Sequence, residues 1–148
     1  FGGYLAQTIG DLESDLDKDG QVSLLEAFLT ASRKTAEFYK VEGRIATEHA
    51  LFDDNGDGLG TPAEWFEGLR SVKKPKDQKI ADGAIVRHWH LVLSAADQNL
   101  TVEQRNHRDE LERAILALRE RKGQMTENDY YHELETLLLQ MAESCGVR

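Results

Sequence analysis

Acidic residues follow a strict spacing between residues 15 and 26, which read DLDKDGQVSLLE. Aspartates stand at the first, third and fifth positions of this stretch, a glycine at the sixth and a glutamate at the twelfth. Carboxylates held this close repel one another unless a cation lies among them, because each disfavours the ionised form of its neighbours. The stretch therefore predicts a chain that folds around a metal ion at this point.

The same spacing occurs again in residues 53 to 64, which read DDNGDGLGTPAE. From average residue usage, one chance match in a chain of this size has a probability of roughly one in a thousand. A solvated acidic turn would not need Gly20 and Gly58 at the sixth positions, where a positive φ strains any residue with a Cβ. The pattern therefore indicates two metal-binding loops.

Calcium is the ion that such a loop suits best, because Ca²⁺ takes about six to eight hard oxygen ligands in flexible geometry. A glutamate at the twelfth position offers two oxygens, which favours Ca²⁺ over the more strictly octahedral Mg²⁺. Side chains are expected to bind from the first, third, fifth, ninth and twelfth positions, the ninth directly or through water, and a backbone carbonyl from the seventh. The predicted ligands are Asp15, Asp17, Asp19, Gln21, Ser23 and Glu26 in the first loop, and Asp53, Asn55, Asp57, Leu59, Thr61 and Glu64 in the second.

In these residues the sequence resembles the EF-hand calcium-binding family, over about residues 1 to 70. The resemblance implies an all-α fold in which two helix-loop-helix hands form an EF-hand pair, with a short β bridge between the loops. The loops begin 38 residues apart (53 − 15 = 38), close to the spacing of paired hands. Gly60 stands where the family usually has a branched apolar residue, and Pro62 follows, which predicts weak coupling between the loops. Only Gly43 breaks the connection, so a single bent helix there is the alternative.

The second half of the chain predicts three helices, because its apolar residues recur at spacings of three and four. The first covers residues 80 to 96. The other two begin at capping signals, at Thr101 and Thr126, and a short turn with Gly123 joins them. This order predicts an antiparallel helical hairpin over residues 101 to 143.

A polar stretch, SVKKPKDQK, contains four lysines and a proline and marks the predicted domain boundary. The first domain, residues 1 to 74, is predicted to hold the EF-hand pair. The second domain, residues 75 to 148, is predicted to be the helical region.

Charge and motif content exclude several classes of protein. Lys and Arg number 18 against 27 Asp and Glu, and the net charge of −9 disfavours nucleic acid as a partner. No apolar run approaches the roughly eighteen residues of a membrane span. No nucleophile motif or phosphate-binding loop occurs, so we expect no catalytic residues and no enzyme activity. His88 and His90 would point apart on a helix, and the lone Cys145 predicts no disulfide within the chain.

The sequence thus predicts a calcium-binding module in which Ca²⁺ is mainly structural. Its 80 to 96 helix would fill the apolar groove between the hands. The alternative is a calcium sensor or adaptor, which would open on binding Ca²⁺ and receive a separate partner helix. Sensors often use Met-rich surfaces, and only two methionines occur in the chain.

A third hypothesis makes the chain an accessory C-terminal region of a larger, peptidase-like protein. The start at Phe1 rather than Met indicates a mature product or an excised fragment. The stretches SLLEAFL and EHALFDDNGDG, with the helical tail, resemble the ends of large exported bacterial proteins with a caspase-like domain upstream. An upstream domain would then be the partner, and export is the expected fate.

Overall fold

The computed structural model describes residues 1–77 and 81–144, and it divides into two compact units, Phe1–Ser94 and Ala95–Arg148. The division follows Ser94, whereas the sequence predicted a boundary between residues 74 and 75. The chain beyond the lysine-rich stretch therefore remains in the first unit, together with both predicted loops.

The first loop connects helical elements in the first unit. Helix α1, Gly2–Thr8, is followed by a 3-10 helix at Leu12–Ser14, and the loop then passes through strand β1, Val22–Ser23, into helix α2, Leu24–Val41. Ser23 begins α2 with a capping box, in which its hydroxyl accepts the N–H of Glu26 and the Glu26 carboxylate accepts the N–H of Ser23. The end of the first loop is thereby also the start of the longest helix of this unit.

The second loop has no α-helix on either side. Strand β2, Leu51–Phe52, pairs with strand β3, Thr61–Pro62, across the loop. A 3-10 helix at Ala63–Trp65 follows, and then a hairpin of strand β4, Phe66–Glu67, and strand β5, Arg70–Ser71. This half of the unit is built from short antiparallel strand pairs.

Two glycines explain these strands. A Cβ at Gly60 would lie 2.8 Å from the Cβ of Leu51, so glycine permits the close approach of β2 and β3. Gly68 has a φ of +59° in the turn between β4 and β5, a left-handed conformation that does not continue a right-handed helix. The predicted exit helix of the second loop therefore does not form.

Residues 81–94 return to the first loop and pair with it. A 3-10 helix at Val86–His88 leads into strand β6, His90–Val92, which runs antiparallel to β1. The backbone N–H of Leu24 also donates to the carbonyl of Trp89 at 2.9 Å. The β partner of the first loop is therefore this segment rather than the second loop.

The core of the first unit draws residues from all three parts. Leu25 and Phe28 of α2 are buried together with Val86. The Phe28 ring centroid lies 4.8 Å from that of Phe52, at the start of the second loop. Partly buried side chains complete the cluster, namely Phe1, Leu24, Leu29, Ala50, Phe52, Ala63, Phe66 and Leu69. Residues at the ends of both loops therefore pack in one core.

The prediction of an all-α fold with an EF-hand pair is wrong. The described residues contain five α-helices together with three pairs of short antiparallel strands. The second loop lacks flanking helices, and no β bridge joins the two loops in the described part of the chain. The predicted helix over residues 80 to 96 is also wrong, since a positive φ at Gly83 and strand β6 interrupt it. Ile80, its first predicted residue, lies outside the described residues.

The second unit is helical. It contains helix α3, Ala95–Gln98, helix α4, Val102–Arg121, and helix α5, Glu127–Ser144, and a 3-10 turn at Lys122–Gln124 joins the last two, which pack together. Thr101 and Gln104 form the capping box that the sequence predicted for α4. Of the helices in residues 1–77 and 81–144, none combines the length and the apolar character needed to cross a membrane.

A buried ion pair fixes the start of the second unit. Arg108 donates through Nη1 to both carboxylate oxygens of Asp97 at 2.6 Å, and through Nη2 to Asp109 at 3.0 Å. Burial alone would lower the pKa of Arg108, but the hydrogen bonds to Asp97 and Asp109 outweigh it and raise that pKa. The pair secures α3 to α4 within the unit.

Candidate metal centre

The first loop fixes two of its aspartates through hydrogen bonds to its own backbone. Asp15 accepts the N–H of Lys18 at 2.6 Å through Oδ1 and that of Gly20 at 3.0 Å through Oδ2. Asp19 accepts the N–H of Gln21 at 2.8 Å. Lys18 and Gly20 adopt φ values of +65° and +82°, which fold the chain back around the Asp15 carboxylate. The loop is a series of tight turns closed by its own acidic side chains.

Three carboxylates converge in this loop. Asp15, Asp17 and Asp19 bring one oxygen each within 4.8 Å of the others, and no other group of three His, Cys, Asp or Glu side chains does so within the described residues. Lys18 forms no ion pair with a described carboxylate, and its Nζ donates instead to the backbone carbonyl of Asp15 at 2.7 Å. His90 approaches the loop from β6, and its Nε2 lies 3.9 Å from an Asp19 oxygen.

The pKa of Asp17 is raised for two reasons. Partial burial raises the pKa of its carboxyl, and the charges of Asp19, Glu26 and Asp15 raise it further. A divalent cation among these oxygens would reverse the sign of the local field and favour the ionised form. The oxygen-only donor set fits a hard cation such as Ca²⁺ rather than a softer transition metal.

Glu26 closes the first loop from its far end. Its side chain is 2% exposed, and Oε1 accepts the N–H of Leu16 at 2.7 Å and that of Asp17 at 3.4 Å. Oε2 accepts the N–H and the hydroxyl of Ser23 at 2.7 and 2.8 Å. Both oxygens of the predicted twelfth ligand therefore face the interior of the loop.

Gln21 and Ser23 occupy the positions that the sequence assigned to them. The Gln21 side chain donates to Asp19 at 3.2 Å, and its Oε1 accepts the N–H of Ser94 at 3.4 Å. The side-chain amide is engaged in this way, so the backbone carbonyl stays the predicted ligand atom of Gln21. Ser23 is buried beside Glu26.

The second loop repeats the backbone arrangement of the first. Asp53 accepts the N–H of Gly56 at 2.7 Å and that of Gly58 at 2.9 Å, three and five residues further on. Asp57 accepts the N–H of Leu59 at 2.8 Å. Gly56 and Gly58 have φ values of +73° and +76°, the counterparts of the two left-handed residues of the first loop. Similar spacing has therefore produced similar turns, although the flanking structure differs.

The twelfth position distinguishes the two loops. Glu64 is exposed, and it makes no hydrogen bond or ion pair with any residue that the structure describes. Thr61, at the ninth position, is fully buried, and its hydroxyl donates elsewhere. Of the predicted ligands, the structure brings Asp15, Asp17 and Asp19 together, whereas Glu64 bonds to no other residue of its loop.

Two acidic residues that sequence reasoning missed lie at the second loop. Asp82 is 2% exposed and accepts from Asn55 Nδ2 at 3.1 Å and from the Thr61 hydroxyl at 2.5 Å. Asp54 accepts three backbone N–H groups from the residues after Asp82, those of Gly83 at 3.1 Å, Ile85 at 2.9 Å and Val86 at 3.3 Å. The one available signal was an aspartate before a glycine inside an otherwise apolar stretch.

The remaining candidates form no separate site. His88 is buried in the 3-10 helix and His90 lies on β6. The two histidines therefore do not share the α-helix that was predicted for them. No cluster of metal-ligating side chains containing a histidine occurs within the described ranges. Cys145 lies outside the described residues.

Comparison with models of protein families, with curated proteins and with solved structures finds no match to this chain. The geometry of the two loops is therefore the guide to function.

Proposed function

We propose that this chain is a calcium-binding module with two metal loops, in which Ca²⁺ acts mainly as a structural element. The observation that carries the proposal is the convergence of Asp15, Asp17 and Asp19 within 4.8 Å in a loop closed by the buried Glu26. Four carboxylates in this arrangement destabilise one another, and a dication offsets that repulsion.

The donor set favours calcium. In the first loop Asp15, Asp17, Asp19 and Glu26 would hold the ion through carboxylate oxygens, with the Gln21 carbonyl and the Ser23 hydroxyl or a bridging water. In the second loop Asp53, Asn55, Asp57, the Leu59 carbonyl and Thr61 would supply the equivalent oxygens. Bound Ca²⁺ supplies positive charge to the loops, and the residues themselves fix where that charge lies.

A structural role is supported by the surroundings of the loops. Glu26 lies between Leu25 and Ala27, both fully buried, so the last ligand of the first loop is part of the core-facing turn of α2. Val86 occupies that core, and β6 pairs with β1 within the loop. Ion binding at the loop would therefore stabilise packing that the chain completes by itself.

Calorimetric titration of the full chain with Ca²⁺ tests the proposal. We expect two Ca²⁺ ions per chain. If Ca²⁺ is present at about a hundred times the dissociation constant, each site adds about 2.7 kcal/mol to the free energy of unfolding. Removal of the ions with a chelator should then lower the melting temperature.

Asp17→Asn is the decisive variant, because Asp17 is exposed and its neutral isostere should leave the ion-free fold intact. We expect the variant to lose tight binding at one site. Glu13→Gln removes the same charge from an exposed side chain just outside the loop and should retain two sites. No Ca²⁺ binding by the unaltered chain, or equal titrations for the two variants, would contradict the proposal.

A further inference from the structure

The second loop lacks the closing carboxylate that the first loop has. In the first loop the twelfth residue, Glu26, is buried and accepts the hydroxyl of the ninth residue, Ser23, at 2.8 Å. In the second loop the twelfth residue, Glu64, is exposed, while the ninth residue, Thr61, is fully buried. A buried hydroxyl at the ninth position requires an acceptor, and Glu64 does not provide it.

Asp82 provides that acceptor from a distant part of the chain. The Thr61 hydroxyl donates to Oδ2 of Asp82 at 2.5 Å, as the Ser23 hydroxyl donates to Glu26 in the first loop. Oδ1 of Asp82 accepts from Asn55, the third residue of the second loop, at 3.1 Å. The carboxylate therefore bridges two predicted metal ligands on opposite sides of the loop.

The charge of Asp82 has no counterpart among the described residues. The side chain is 2% exposed, and both of its hydrogen bonds come from neutral groups, with no lysine, arginine or histidine in ion-pair contact within residues 1–77 and 81–144. Buried carboxylates are normally paired with a cation or bound to a metal. The second loop also carries one carboxylate fewer than the first at its third position, where Asn55 replaces an aspartate.

The backbone around Asp82 is held against the loop independently. Asp54, the second residue of the loop, accepts the N–H groups of Gly83, Ile85 and Val86. Gly83 has a φ of +94°, and a Cβ there would lie 2.8 Å from Cε1 of Phe66. The segment thus approaches the core as closely as glycine permits, and Asp82 precedes this point directly.

We propose that Asp82, rather than Glu64, is the closing carboxylate of the second metal loop, where it holds Asn55 and Thr61 in place to bind the ion. This inference rests on the proposed binding of Ca²⁺ by both loops. Residues 53–61 and Asp82 would then form a site assembled from two separate segments of the chain.

Calcium titration of Asp82→Asn and Glu64→Gln in the full chain tests the assignment. We expect Asp82→Asn to weaken one of the two sites by at least about tenfold, the lower end of what loss of an outer-sphere partner costs a metal site. Glu64→Gln should change that site by less than about threefold. Asp77→Asn, which removes an exposed charge from the same region, is the matched control. A larger effect of Glu64→Gln, or equal titrations for Asp82→Asn and Asp77→Asn, would overturn the assignment.

A measurement on the unaltered chain covers the case in which Asp82→Asn does not fold. The carboxyl carbon resonance of Asp82 should shift as the second site fills with Ca²⁺, and that of Glu64 should not. A stationary Asp82 resonance beside a shifting Asp53 resonance would refute the role of Asp82 and leave calcium binding intact. If no loop carboxylate responds at all, the proposed function fails as well.

Discussion

Glu26→Gln separates the two tasks that this carboxylate performs in the first loop. Oε1 accepts two backbone N–H groups, from Leu16 and Asp17, and Oε2 accepts the N–H and the hydroxyl of Ser23. A glutamine has one oxygen and one NH₂ group in the same space. In either orientation of the amide, two of these four donors face the NH₂ group and lose their acceptor. The substitution therefore breaks hydrogen bonds even when no metal is bound.

The magnitude follows from two opposing effects. Losing two hydrogen bonds to a charged acceptor costs about 1.5 to 3 kcal/mol each, because the donors remain buried without a partner. Removing the charge also relieves repulsion with the three neighbouring aspartates, which contributes about 1 kcal/mol per pair at 4 Å in a water-like environment. The two lost hydrogen bonds cost about 3 to 6 kcal/mol together and the relieved repulsion returns about 3 kcal/mol at most, so we expect the free energy of unfolding of the calcium-free protein to fall by about 1.5 kcal/mol.

Urea unfolding followed by circular dichroism, with a chelator and with excess Ca²⁺, measures both effects. The unaltered chain should gain stability from two sites, and Glu26→Gln should gain it from one, a difference of about 2.7 kcal/mol at a hundredfold excess over the dissociation constant. Glu13→Gln is the control for charge alone. Equal stability of the two variants in chelator would refute the hydrogen-bond reasoning, and an equal gain with Ca²⁺ would refute the role of Glu26 as a ligand.

Two further perturbations address the backbone and the charge of the site. Gly83→Ala should destabilise the protein more than Gly43→Ala, by about 1 to 3 kcal/mol in thermal unfolding. Both glycines have a positive φ, but of the two only Gly83 has neighbours within 4 Å of an added Cβ. Equal effects of the two substitutions would exclude the close approach as the cause. The raised pKa of Asp17 means that the calcium-free folded state binds a proton more readily than the unfolded state, so this group favours folding as the pH falls through the raised value. The same proton competes with Ca²⁺, so affinity should begin to fall at a pH above the ordinary aspartate value of 3.8, and Asp17→Asn should flatten this dependence in titrations at a series of pH values.

The first loop could be predicted from sequence because its determinants are local. Asp15, Asp19 and Gly20 interact within five residues, and Glu26 is placed by the capping box that begins α2. Spacing alone therefore fixes which side chains meet. The turns of the second loop follow for the same reason, since Asp53 bonds to N–H groups three and five residues away.

The flanks of the second loop could not be predicted from the motif, because they depend on tertiary contacts. Gly60 and Gly68 were visible in the sequence, but the motif gave no reason to prefer strands over helices at these positions. A Cβ on residue 60 would lie 2.8 Å from the Cβ of Leu51, and only the folded structure shows that glycine is needed there for this reason. The glycines weakly disfavour helices on either side of the second loop, and tertiary packing stabilises strands there instead.

Residues 81–94 take over the role that a β bridge between paired loops would have. One end of this segment binds the second loop through Asp82 and Asp54, and the other end pairs with β1 within the first loop. Asp82 lies 18 residues beyond Glu64 (82 − 64 = 18), outside any local motif, so only the fold reveals that its carboxylate reaches the loop. Because each loop bonds to this segment, an ion in either loop would stabilise the same piece of chain. The two loops, each holding an ion as proposed, would then reinforce one core.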